Sequence, residues 1–334
     1  MRLPPEWARQ DWLWIGFPHD EAEWPGYLAR AQEQIAAFAN AVADTGQEVR
    51  MLVRDAANEA RARSLVSAAV TLDRRTYGDI WLRDTGPLTL LNGTRRALRP
   101  RFNGWGGKYV MEGDQSIGVE LAGECGLELT RPDYVLEGGA IDVDGAGRML
   151  TTEQCLLNAN RNPAMDRTAI EQALRSDLGP SEVIWLGDGL LNDHTDGHVD
   201  NLARFVADGA IVLAEPAGSD DPNAAVYADA RRRAEAAGLT VHPIPSPGLV
   251  TRGDFVEPAS YANFCIANDA VIVPTFGLPQ DEAALEAIGA HFPHRATIGL
   301  PADAVLAGGG GFHCASMQMP AAGSPATENA RREV

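Results

Sequence analysis

One supersecondary unit recurs along the chain, and a recurring unit restricts the available folds more tightly than composition does. From Gly197 the segment GHVDNLARFVADGAIVLAEP alternates apolar and polar residues on either side of Asp208-Gly209, the pattern of two strands joined by a tight turn. DDPNAAVYADARRRAEAAGL follows as a helical stretch, with acidic cap candidates at its start and Gly238 at its end, and TVHPIP supplies a third strand. The order returns from Ser260: SYANFCIANDAVIVPTFG turns at Asn268-Asp269, QDEAALEAIGAHF is helical, and ATIGLP is extended. Two earlier copies begin at YVLEGGAIDVDG and DIWLRDTGPLTL. A fifth copy is divided between the termini, FHCASMQMP giving its opening strand and DWLWIGFP, YLARAQEQIAAFANAVADTG and EVRMLV the remainder. Chain ends that complete one unit close a ring. The expected fold class is therefore α/β, a fivefold pseudosymmetric α/β-propeller of ββαβ units, with one domain over residues 1–320 and a flexible tail over 321–334. Pattern alone also allows a two-domain α/β protein.

Composition narrows the function. With 45% hydrophobic residues, 22% charged residues and no apolar run of membrane-spanning length, the chain reads as globular, and no membrane partner is expected. The first 20 residues carry charges throughout and lack an apolar leader core, so a cytoplasmic location is expected. A formal net charge of -18 argues against nucleic acid and favours a cationic small molecule. The four cysteines are widely spaced, without a CxxC pair, and are expected as free thiols. Cys125, in a helix, Cys155, in a strand, and Cys265 read as packing residues.

The unusual polar residues fall at one end of each unit: Asp84, Glu137, His198 with Asp200, Asn263, and Cys314. About a pseudo-axis these ends converge. His198 and Asp200, two positions apart on a strand, would share a face. Four glycines, Gly308 to Gly311, lead into Cys314, as expected where a thiol is presented to a ligand that approaches the backbone closely. No metal is expected, because the acidic residues near His198 lack further ligands at an established spacing. A homo-oligomer is left open.

DIWLRDTGP, FNGWGG, LEGGAIDVDG, TTEQCLLNANRNP, GHVDN and GGGGFHC resemble, in order and spacing, the motifs of the agmatine deiminases and of the bacterial peptidyl-arginine deiminases related to them. The resemblance covers nearly the whole chain and implies the same fivefold propeller. It also implies a reaction: hydrolysis of a guanidinium group, with ammonia and a ureido compound as products, N-carbamoylputrescine if the substrate is agmatine. A guanidinium is planar and stays protonated at any ordinary pH, so its carbon is a poor electrophile and must be held and attacked by a strong nucleophile. By resemblance Cys314 is that nucleophile, Asp84 and Asp200 clamp the N–H fork, His198 is the general acid and then base, and Glu137 supports His198. Trp81, Trp105, Asn263 and Gly310 are implied as further substrate contacts, and no cofactor is implied.

Three departures bear on the substrate. Agmatine deiminases usually carry E-T-x-G-H-V-D, where this chain has His194 in place of the glutamate, with Asp193 and Asp196 as nearby acids that could substitute. The nucleophile loop reads GGGGFHCASMQ rather than GGGNIHCITQQ, and Phe17 to His19 read FPH where tryptophan and proline are usual. Peptidyl-arginine or a small arginine derivative is the alternative substrate, and a non-catalytic guanidino-binding protein the alternative class.

Overall fold

Apolar spacing decides the long helices. Leu28–Ala43 buries Ala31, Ile35, Phe38, Ala39 and Val42 along one face, the three-and-four spacing of an amphipathic helix. Arg167–Leu178 begins at Asp166, whose side chain accepts from the Ala169 amide, and ends at Gly179 with φ of 80°. Ala224–Ala236 starts differently from expectation: the acids before it do not cap the helix, and Asp221 instead accepts from the Asn223 amide at 2.9 Å.

The computed structural model describes residues 1–323; from residue 324 onward the tail assigned to 321–334 lies outside the described residues. The fold is mixed α/β. Four three-stranded sheets share one order, in which the first two strands are antiparallel and the third returns parallel to the second. They are Leu88–Leu91 with Arg95–Leu98 and Glu128–Thr130, Ile141–Val143 with Arg148–Thr152 and Glu182–Leu186, Ala203–Ala207 with Ala210–Glu215 and Thr240–Pro245, and Cys265–Ile266 with Ala270–Thr275 and Ala296–Pro301. In each, a helix lies on the crossover, as parallel neighbours require. The fifth sheet joins the two ends of the chain: Ser316–Pro320 runs antiparallel to Gln10–Gly16, which runs parallel to Glu48–Val53. It carries a further parallel strand, Val70–Arg74, reached through the helix Ala56–Arg63. The sequence reading missed both, because AANEARAR buries only Asn58 and Ala62 and has no apolar stripe.

Interior polar bonds tie the units together. Gln10 donates to Ile266 O at 2.8 Å, and its amide donates to Asn268 at 2.9 Å. Arg204, wholly buried, pairs with Glu6 and Asp142 and donates to Phe264 O at 2.8 Å. Burial alone would push the Glu6 carboxyl up; Arg204 and His313 outweigh it and hold the group far below its usual range.

The polar residues singled out in the sequence do not stand on strands. Asp84 sits in a single helical turn, Leu82–Thr85, and Glu137 precedes the short turn Gly138–Ala140. His198 precedes the turn Val199–Asn201, which contains Asp200. Cys155, expected on a strand, lies in the turn Glu153–Leu156, where Thr152 caps the Cys155 amide. Asp84, Glu137, His198 and Asp200 thus lie in segments leading into a first strand, where the chain is free to turn a side chain off the sheet, whereas Cys155 follows a second strand.

Candidate active site

Cys314 ends the glycine run and is 5% exposed. Two contacts hold it to Asn263: the Asn263 amide nitrogen lies 3.1 Å from Sγ, and the Cys314 backbone N–H donates to Asn263 Oδ1 at 3.2 Å. Sγ is 3.6 Å from Asp200 Oδ2. The glycines now have specific reasons. A Cβ on Gly310 would stand 2.8 Å from the Trp81 ring and 3.0 Å from Cys314 Cβ, and one on Gly311 would stand 2.6 Å from Asn263 Oδ1. Gly309 has φ of 110°, a backbone state that side chains rarely adopt.

Beside the thiol stand Asp200 and Asp84, with His198 next to Asp84, all buried. Asp84 Oδ2 accepts from the Trp105 indole N–H at 2.9 Å, and Oδ1 accepts from the Gly139 amide at 2.9 Å, with His198 Nδ1 3.8 Å away. Asp200 Oδ2 accepts from His313 Nδ1 at 2.7 Å, and Asp200 Oδ1 has no partner. Neither ring nitrogen of His198 has a hydrogen-bond partner either. Asp200 Oδ1 is thus a buried acceptor left open to a ligand's donor. The three side chains meet over Gly139, where a Cβ would lie 2.6 Å from His198 Nδ1, 2.9 Å from Asp200 Oδ2 and 3.1 Å from Asp84 Oδ1. His198 and Asp200 converge as expected, by a different route. Asp196 and Gly197 take positive φ of 63° and 85°, Thr195 Oγ1 accepts from the His198 amide at 3.0 Å, and a tight turn rather than a pleat aims both side chains.

The charge states follow from burial and proximity. Burial, with Asp200 and Asp84 adding to it, pushes the Cys314 thiol well above its usual range, so the thiol is protonated while the site is empty. Burial also raises Asp84, and Asp200 works in the same direction against the favourable His198. Burial would lower His198, but the Asp84 charge and the neighbouring Cys155 outweigh it and favour the imidazolium. For Asp200 the bond from His313 overcomes burial and keeps the carboxylate ionised.

Behind His198, Glu137 accepts from Arg161 Nε at 2.8 Å, both side chains being fully buried. Arg161 also reaches Asp196 and donates to Thr195 O at 2.7 Å. Ligand-type atoms of Glu137, Cys155 and His198 lie within 4.8 Å of one another and could offer three donors to a metal ion. The Arg161 guanidinium on Glu137 already neutralises that carboxylate and opposes a second cation there. Cys155, read from sequence as packing, is buried in this group.

A cavity of about 200 Å³ opens onto Cys314, lined by Trp81, Asp84 and Trp105, by Tyr109 and His194, and by Glu23 and Asp79 among others. His198, Asp200, Glu137, Asn263 and Gly310 are not among the lining residues; Asn263 and Gly310 stand against Cys314, and Asp200 lies 3.6 Å from its sulfur. Sequence reasoning gave no part to His313, Arg161 or Gly139, although all three lie inside the quoted motifs FHC, NRNP and EGG. Nothing in their spacing sets them apart, because their partners lie far along the chain: Glu137 for Arg161, Asp200 for His313, and Asp84 and His198 for Gly139.

Comparison with known proteins places this geometry. The family model for Porphyromonas-type peptidyl-arginine deiminase matches residues 2–320. The agmatine deiminase of Stutzerimonas stutzeri is 37% identical over 352 residues, covering 96% of this chain and 95% of its own. Among solved structures, the agmatine deiminase of Enterococcus faecalis superposes with a TM-score of 0.90 at 32% identity, with 96% of each chain covered. A substrate-bound cysteine-to-serine variant of the C. jejuni agmatine deiminase gives 0.90 at 29% identity, again over 96% of each chain. A family match over residues 2–320, with relatives covered over almost their whole length, leaves one assignment: the chain belongs to the Porphyromonas-type peptidyl-arginine deiminase family.

Proposed function

We propose that this protein is an agmatine deiminase, a hydrolase that converts agmatine and water to N-carbamoylputrescine and ammonia. One observation carries the reading: the cavity that reaches the Cys314 thiol is lined by three carboxylates and by no lysine or arginine. A flat cation suits its inner end and a second cation its outer end. The carboxylate of free arginine would meet acids there, and a peptide would have to enter between Trp81, Trp105 and Tyr109.

In this reading Asp84 and Asp200 accept from the guanidinium N–H fork, replacing lost hydration with charged hydrogen bonds. The arriving cation lowers the Cys314 thiol pKa in the direction opposite to burial, and the thiol gives its proton to solvent. Sγ then bonds to the guanidinium carbon. His198, as imidazolium, gives its proton to one nitrogen of the tetrahedral adduct, the C–N bond breaks and ammonia departs. The remaining S-alkylthiouronium is attacked by water, whose proton returns to His198, and cleavage of the C–S bond releases the ureido product and regenerates the sulfur. Glu137, held by Arg161, supports His198 from behind. Trp81 and Trp105 flank the bound group, while Asn263 and the Gly310 backbone hold Cys314 in line. The chemistry is complete with these groups and calls on no cofactor. The recurrence of one sheet order, with the chain ends sharing the fifth sheet, supports closure of the five units into a single propeller domain over residues 1–320.

Ammonia release from agmatine, free arginine, an arginine peptide and methylated arginines tests the substrate, and Cys314→Ser tests the chemistry. Agmatine is expected to exceed the others by at least about 100-fold in kcat/KM, a difference of two tenfold steps in binding the transition state. Cys314→Ser is expected to bind agmatine without turnover. Equal turnover of a competitor would overturn the substrate, and retained activity in the serine variant would overturn the nucleophile.

A further inference from the structure

His194 occupies the position of the acid in the usual motif, and the structure shows what its neighbours do instead. Asp193 accepts from the Thr195 amide at 2.8 Å and from Asn201 Nδ2 at 3.1 Å, so it is spent inside its own turn. Asp196 pairs with Lys108 at 2.7 Å and with Arg161. Neither is available to a ligand. His194 itself stands beside the rings of Tyr109 and Phe255, at 6.0 and 5.9 Å, and offers the cavity no carboxylate.

The same cavity carries acids from another unit. Glu23 and Asp79 line it together with Cys314, and among the described residues neither has a basic ion-pair partner. Asp79 is 4% exposed; its Oδ1 accepts from Ile80 N at 2.7 Å, and the carboxylate is also bonded by the Trp81 side chain. Asp114 stands behind it, accepting from the Gly78 and Asp79 amides at 2.8 and 3.1 Å. Burial first, then Asp114 and Glu23, push Asp79 well above the usual carboxylate range. Burial and Asp20 push Glu23 in the same direction. The position of Glu23 is fixed from the next residue. Trp24 is buried against Trp81, ring centres 6.0 Å apart, and against Gly308, where a Cβ would meet its indole at 2.3 Å. Carboxylates crowded at one end of a cavity without a counter-ion gain most from a bound cation.

We infer that in this chain Glu23, backed by Asp79, receives the distal ammonium of the substrate, the task that the residue at position 194 cannot perform. This rests on the deiminase reading and extends it to specificity. The compounds that test it are agmatine and n-butylguanidine, which share a guanidinium and a four-carbon chain and differ in the terminal ammonium. The native protein should favour agmatine in kcat/KM. Glu23→Gln should raise the agmatine KM about 10- to 100-fold, the loss of one charged hydrogen bond, while kcat changes less than about 3-fold. Butylguanidine kinetics should not follow, and Glu23→Asp should recover part of the agmatine affinity. An unchanged agmatine KM in Glu23→Gln, or equal losses for both compounds, would overturn the inference. If the native protein releases ammonia from neither compound, the deiminase reading fails instead. Calorimetric titration of both compounds into native and Glu23→Gln protein then decides the subsite alone: selective loss of agmatine binding supports it, and equal binding overturns it.

Discussion

Replacing Gly139 with alanine adds one methyl group at the point where three side chains meet. Gly139 does not have a positive φ, so the new residue carries no backbone penalty and the effect is steric. The added carbon would stand 2.6 Å from His198 Nδ1 and 2.9 Å from Asp200 Oδ2, both under the 3.0 Å that real contacts respect, and 3.1 Å from Asp84 Oδ1. His198 Nδ1 must retreat by about 1 Å to reach ordinary contact, and a misplacement of that size costs on the order of 100-fold in rate, about 2.7 kcal/mol of barrier. Crowding also strains the core by about 1–3 kcal/mol. Gly138→Ala is the comparison, because its Cβ would meet the Arg83 carbonyl at 2.1 Å, a backbone atom that cannot rotate away. Thermal unfolding and ammonia-release kinetics separate the two. Gly139→Ala should fold with a modestly lowered Tm and a kcat down by about 100-fold or more, whereas Gly138→Ala should lose stability first. A Gly139→Ala protein with native Tm and kcat within about 3-fold of native would refute the convergence of His198, Asp84 and Asp200 on that spot, since a lost rate below about 0.7 kcal/mol is not a steric conflict.

The pH dependence follows from the thiol. Burial and the two aspartates hold Cys314 protonated in the empty site, and the thiolate gains as pH rises, so kcat/KM should climb with pH toward a raised thiol pKa. A bound guanidinium reverses part of that shift, so the acid limb of kcat should lie at lower pH than the acid limb of kcat/KM; coincident limbs would exclude a role for the substrate's charge. Trp105→Phe keeps the ring and removes the 2.9 Å bond to Asp84 Oδ2. Loss of one charged hydrogen bond, about 1.5–3 kcal/mol, should cost roughly 10- to 100-fold in kcat/KM by steady-state assay, and a change under about 3-fold would mean that Asp84 does not depend on Trp105.

What the sequence disclosed and what it concealed divide along one physical line. Hairpins at Asp208-Gly209 and Asn268-Asp269, and helices such as Arg167–Leu178, were legible because turn chemistry and apolar period are local. The order of strands within each sheet was legible because the unit recurs. The helix Ala56–Arg63 and the strand behind it were not, since their few buried residues leave no period to read. At the site, Cys314, His198, Asp200 and Asp84 could be singled out as polar residues at equivalent places; Asp200 lies 3.6 Å from the Cys314 sulfur and His198 3.8 Å from Asp84. Their supports could not be found that way. His313 bridges Asp200 at 2.7 Å and Glu6 at 3.0 Å, partners more than a hundred residues away. Gly139 matters only because three side chains from two other segments meet over it. Cys155 packs in the hydrophobic core as read, and its place beside Glu137 and His198 could not be read because His198 belongs to the next unit.

The strand Ser316–Pro320 closes the sheet against Gln10–Gly16 and follows directly on the thiol-bearing loop, so completion of that sheet and arrival of the sulfur are one event. During synthesis from the amino end, every carboxylate of the site is made long before Cys314, and the ribosome-bound chain presents the segment Trp12-Leu13-Trp14-Ile15 as an unpaired apolar edge until the last strand docks. A product cut short after Leu306 would therefore be inert and sticky at once, and quality control could remove it through that bare edge without consulting the chemistry.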